Sequence, residues 1–145
     1  MHIHNNDLLL LQPYSDNTVF DNLQAGIRIS EDSKANVILN LIYSNNLSGV
    51  IVRDRAYAYL DKNTIDDNGE SAIVFFGSSL GDVNNNTCSG NARLGIEVND
   101  EAAPNIGSNT CQWLRVYWAR AVLALFHPCM PTLPALISNP LYFYD

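Results

Sequence analysis

The sequence predicts an all-β solenoid, a single-stranded right-handed parallel β-helix built from 23-residue coils. Three observations lead there. Asparagine recurs at Asn17, Asn40, Asn63, Asn86 and Asn109, always 23 residues apart, and Asn22, Asn45, Asn68 and Asn91 repeat the interval. Apolar residues share the phase: Val19, Ile42, Ile65, Cys88 and Cys111; Ile27, Val50, Ile73 and Ile96; Ile29, Val52, Phe75 and Val98; Val37, Leu60, Val83 and Ile106. Between these columns stand Asn, Gly and Asp, the residues that accept tight or left-handed turns. A fixed period of this length marks a repeat architecture.

Each element of the coil follows from that register. Apolar residues two apart, as in Gly26-Ile-Arg-Ile29, share one face of a strand, and their β-branching suits a pleated, half-buried surface. The first coil therefore holds three short strands, near 18–21, 26–30 and 36–38. Three short sides closing on themselves make a triangle, and the next coil stacks on it strand upon parallel strand at about 4.8 Å. An Asn amide both donates and accepts, so equivalent Asn side chains can bond along the axis as a ladder. On that reading Asn63→Leu, in mid-stack, costs more than Asn109→Leu beside the irregular end. An α-solenoid fails for want of sustained i, i+3, i+4 periodicity, and a leucine-rich repeat for want of its Leu spacing.

The chain divides into an N-terminal partial coil or cap (1–16), the repeats (17–111) and an aberrant C-terminal segment (112–145). The last segment has no Gly, four of the six Pro and both Trp. Leu114 stands where the register expects Asn, and Trp118 where it expects Gly. Two readings stand: a cap over the open end of the stack, or translation in a shifted frame. One back-translation of 112–118, shifted by one base, reads Ser-Gly-Tyr-Gly-Tyr-Ile-Gly and restores a turn and a Gly-bearing strand. No clear cap precedes Asn17, which points to a fragment of a longer protein. A periplasmic or extracellular setting follows if the parent chain carries a signal peptide.

Fifteen acidic against eight basic residues give a net charge of −7, which argues against nucleic acid and anionic membranes as partners. The early apolar run Leu8–Leu11 falls far short of a membrane span. Three cysteines make no disulfide framework, and Cys88 and Cys111, in an inward column, read as small buried hydrophobes.

The block Gly95-Ile-Glu-Val-Asn-Asp-Glu-Ala-Ala-Pro-Asn-Ile-Gly-Ser-Asn-Thr-Cys111 resembles the right-handed parallel β-helix repeat family, found in pectate-lyase-like proteins, mannuronan C5-epimerases and NosD-type proteins. The resemblance covers 17–111. It implies the fold; function in such folds sits in decorations of the scaffold.

The outward positions of the middle strand are where such proteins would place a sugar groove, and the charged stripe there is Arg28, Arg53, Arg55, Glu97, Asp100 and Glu101. A solvated outer face is the simpler account of these charges. The resemblance implies polysaccharide lyase or uronate epimerase chemistry, with Ca2+ entering only under that alternative. The epimerases' Asp-Pro-His signature is missing, and so is a usable histidine within the repeats. Asp66 and Asp67, with Asp21 expected one coil below Asp67, offer carboxylates for Ca2+, but turn formation is the favoured role. Phe20 and Tyr43 share an outward phase, as do Ile51 and Val74 beside Phe76, and these read either as a docking patch or as surface covered by a flanking segment. The expectation is a non-catalytic repeat scaffold offering a flat side to a protein or polysaccharide, with no cofactor, no resident metal and no catalytic residue; the alternative is a fragment of a carbohydrate-active enzyme.

Overall fold

The computed structural model describes residues 2–3, 14–111 and 114–116. Each coil contributes one strand to each of three parallel sheets. The first sheet stacks His2–Ile3, Ile27–Ile29, Val50–Val52, Ile73–Phe75, Ile96–Val98 and Leu114–Val116. The second stacks Tyr14–Ser15, Lys34–Ile38, Tyr57–Asp61, Leu80–Asn84 and Asn105–Ile106. The third stacks Thr18–Phe20, Leu41–Tyr43, Thr64–Asp66, Thr87–Ser89 and Thr110–Cys111. Register is kept at 23 residues through the regular coils: Ile27 pairs with Val50, Val50 with Ile73, and Ile73 with Ile96.

The chain turns from sheet to sheet through left-handed residues, and these too repeat every coil. Asp16, Leu39, Lys62 and Asn85 (φ 57°, 58°, 55° and 55°) make the corner between the second and third sheets. Asp21, Ser44, Asp67 and Gly90 make the next, and Glu31, Asp54, Gly77 and Asp100 the last. Every ladder Asn except Asn109 follows a left-handed residue directly, so the corner turns its amide inward. Leu39 occupies such a corner although a Cβ penalises the conformation, and its side chain is half exposed at 51%. Leu39→Asn, which keeps a residue tolerant of positive φ, is expected to raise stability by about 1 kcal/mol, read as an increased midpoint of thermal unfolding.

Both Asn ladders form. The Oδ1 of Asn63 accepts from the backbone N–H and the Nδ2 of Asn40, at 3.0 Å each. The Asn63 Nδ2 in turn donates to Asn86 Oδ1 and to Val37 O. The same pattern runs from Asn86 to Asn109 and along Asn22, Asn45, Asn68 and Asn91. Buried amides at the corners are thereby satisfied where no strand partner is available. The ends of the first ladder are not as the repeat pattern suggests. Asn109, next to the irregular segment, is still buried and still makes four side-chain bonds, to Asn86 N and Nδ2, Val83 O and Gly107 O. Asn17, at the other end, is exposed.

The core lies inside the triangle, where Ile27, Ile29, Val37, Ile42, Val50, Val52, Leu60, Ile65, Ile73, Val83, Ile96 and Val98 pack with Ala35, Ala56, Ala58, Ala72 and Ala102. Phe75 is the largest fully buried side chain. At the C-terminal end the 23-residue register holds as far as Cys111 and is lost by Leu114. Leu114 pairs with Ile96 only 18 residues away, so it takes a first-sheet position and not the Asn position that a constant period assigns it. The chain between Thr110–Cys111 and the first sheet is cut to two residues, too few for a second Asn corner. Trp118 and the choice between a cap and a shifted frame lie outside the described residues.

Candidate functional site

The outer face of the first sheet, with the corner after it, carries a shallow groove of about 330 Å³ lined by Arg28, Ile51, Arg53, Asp54, Phe76, Gly77 and Asp100. It draws together three of the six charged positions singled out from the sequence, Arg28, Arg53 and Asp100; Arg55, Glu97 and Glu101 are not part of its lining. The columns explain this. Arg28, Ile51, Val74 and Glu97 stack in register, one per coil, and Asp54, Gly77 and Asp100 follow at the corner.

The outward column is not a solvated face. Ile51, Val74 and Glu97 are only 8%, 2% and 5% exposed. Column neighbours above and below take part of this surface, but not all of it, since Leu41 and Thr64, also mid-stack in the third sheet, stay exposed. Glu97 is also enclosed by polar partners. It accepts from Ser71 Oγ at 2.7 Å and Asn99 Nδ2 at 3.3 Å, and meets Arg93 at 3.5 Å. A charge that the repeat pattern places in water is in fact buried and paired.

The other carboxylates are engaged as well. Asp54 Oδ2 accepts the backbone N–H of Glu31 at 3.1 Å, one coil below, and the Nε of Arg53 at 3.1 Å. The Glu31 N–H first, and the Arg53 guanidinium with it, hold the Asp54 carboxyl below the ordinary aspartate range. Asp100 Oδ2 accepts the Gly77 N–H in the same manner. Arg55 clamps Asp32 through two parallel bonds of 2.7 Å, which lowers the pKa of Asp32 and raises that of Arg55. Arg55 is thus tied across two coils at an exposed corner and does not line the groove. Glu101 is exposed, and its backbone N–H bonds to Gly77 O.

Among the described residues no group of three or more His, Cys, Asp or Glu is placed to hold a metal ion. Asp21 and Asp67 occupy the same corner but with Ser44 between them, two coils apart. Asp66 instead accepts from Ser89 Oγ at 2.7 Å and from the Asp67 N–H. Phe20 and Tyr43 stack with ring centroids 5.3 Å apart and planes 5° from parallel.

Two features escaped the sequence pattern. The second sheet presents Tyr57 and Tyr59 outward, with Asn36, Tyr59, Asp82 and Asn105 stacked in one column. The Tyr57 hydroxyl donates to Asp82, and Asn105 Nδ2 donates to the same carboxylate at 3.1 Å. These bonds lower the Asp82 pKa and, through Asp82, raise that of Tyr57. The signal was present in the period but carried no single residue type. The second feature is a disulfide between Cys88 and Cys111. They are not two isolated small hydrophobes: stacking like on like brings their Cα atoms to 4.4 Å.

A family model described as the right-handed β-helix region matches residues 3–114. The chain belongs to that right-handed β-helix family. Comparison with curated proteins and with solved structures gave no match. Membership accounts for the scaffold, the 23-residue period and the ladders of this β-helix, and leaves its activity to be argued from the groove. Among the described residues no helix is long and apolar enough to cross a membrane.

Proposed function

We propose that this β-helix is a non-catalytic scaffold whose first-sheet groove binds a glycan or protein partner. The observation that carries the reading is the prior commitment of the acids. Asp54 and Asp100, the two carboxylates that line the groove, hold corners, and Glu97, outside the lining, is locked among Ser71, Arg93 and Asn99, so none of the three is poised as a general acid or base. What the groove offers a partner is the pair Arg28 and Arg53 beside the partly exposed ring of Phe76. A guanidinium next to an aromatic ring suits an acidic sugar or an acidic peptide segment, through bidentate bonds and ring stacking.

The reading of the chain as part of a polysaccharide lyase or uronate epimerase draws on the same stripe, since arginines there could neutralise a uronate, and Ca2+ belongs to that reading alone. One experiment separates the two. Calorimetric titration with uronate, neutral and sulfated oligosaccharides and with acidic peptides is expected to show binding that Arg53→Ala weakens by about tenfold, the value of roughly one charge-assisted hydrogen bond. The same oligosaccharides are expected to yield no unsaturated product, with or without Ca2+. Turnover would remove the scaffold reading, and binding indifferent to Arg53→Ala would remove the groove.

A further inference from the structure

We propose that Cys88 and Cys111 form a thiol–disulfide switch that fastens the last regular coil to the stack. The two residues are register partners on adjacent parallel strands, Thr87–Ser89 and Thr110–Cys111, and the bond links one coil to the next. Their column is filled below by Val19, Ile42 and Ile65, so free thiols fit the same inward positions and the coil can close in either redox state.

The position of the clip gives it an effect. It sits at the coil where the period fails and packing thins. Asn105–Ile106 and Thr110–Cys111 are two-residue strands, against five and three residues one coil below. Ile106 and Cys111 are half-buried, whereas Val83 and Cys88 beneath them are buried. Few apolar contacts and exposed backbone bonds are the marks of a unit that opens by itself. A cross-link closing a 23-residue loop opposes that opening.

The reagent is a small-molecule thiol and its disulfide. A thiolate attacks the more accessible Cys111 sulfur, the Cys88–Cys111 bond breaks and Cys88 leaves as thiolate, which is then protonated. A second thiol attacks the mixed disulfide at the reagent's sulfur and releases Cys111. The products are two protein thiols and one small-molecule disulfide, and oxidation runs the same steps in reverse.

The test uses the full chain equilibrated in oxidised or reduced glutathione. Peptide mapping without reductant is expected to join Cys88 to Cys111 and leave Cys129 free. Hydrogen exchange is expected to quicken at least about tenfold on reduction at the amides of Gly107 and Thr110, which bond to Val83 O and Asn86 O, with Thr64 unchanged. The Cys88→Val/Cys111→Val variant should exchange like the reduced protein whatever the buffer. Free thiols at both positions after oxidation, pairing of either with Cys129, or equal exchange in the two states would overturn the switch.

Discussion

Asn63→Leu is expected to lower the unfolding free energy by about 2–4 kcal/mol, while Asn17→Leu costs less than about 0.5 kcal/mol. Asn63 is 1% exposed and its side chain serves four bonds. Leucine fills the space but leaves the Asn40 N–H and the Val37 carbonyl without their side-chain partner inside the coil, and an unsatisfied buried group costs about 1–3 kcal/mol. Asn17 is exposed, and among the described residues none donates to its Oδ1, so water replaces what is lost there. Asn109→Leu should fall near Asn63→Leu, because its four bonds persist at the irregular end. Urea unfolding with an unchanged slope measures all three; equal losses at Asn17 and Asn63 would show that burial does not set the strength of the ladder.

Phe75→Ala is expected to cost about 3–5 kcal/mol, the usual range for emptying a fully buried phenyl site. The ring has a specific host. In the column Ile29, Val52, Phe75 and Val98 it is the one aromatic, and the facing column runs Ala35, Ala58, Gly81. A Cβ at Gly81 would stand 2.3 Å from the Ala58 carbonyl oxygen, one coil below, and 3.1 Å from the Phe75 ring. The coil keeps its interior volume by trading a methyl on one side for a ring on the other. Gly81→Ala should therefore destabilise chiefly through the Ala58 carbonyl, and Phe75→Val, which copies the Val52 of the coil below, should relieve only the share due to the ring. A double-mutant cycle with a coupling below about 0.5 kcal/mol would mean that the two sites are independent.

Much of this was legible in the residues because a parallel stack makes each position's neighbour the residue one period away. The Asn columns, the inward apolar columns and the stacking of Phe20 on Tyr43 all follow from that rule. The rule fails for the groove because it gives phase and not accessibility. Glu97 and Val74 share an outward phase with Arg28, yet both are buried, Glu97 by bonds to Ser71, Arg93 and Asn99 that cross between columns. The disulfide is not legible for a related reason: the register sets Cys88 under Cys111, but a shared inward column is compatible with packing as well as with a bond.

By itself the sequence determined the period, the triangular parallel stack and the identity of the ladder residues, since a strict 23-residue repeat of amides and β-branched side chains has one consistent way to pair its backbone and bury its apolar edge. Only the tertiary structure decided which outward charges meet water, which acids are consumed in holding corners, that Leu39 and Lys62 sit in left-handed turns, and that the last coil is bonded through sulfur. Those outcomes depend on distances between side chains of neighbouring columns, and a one-dimensional period carries no measure of them.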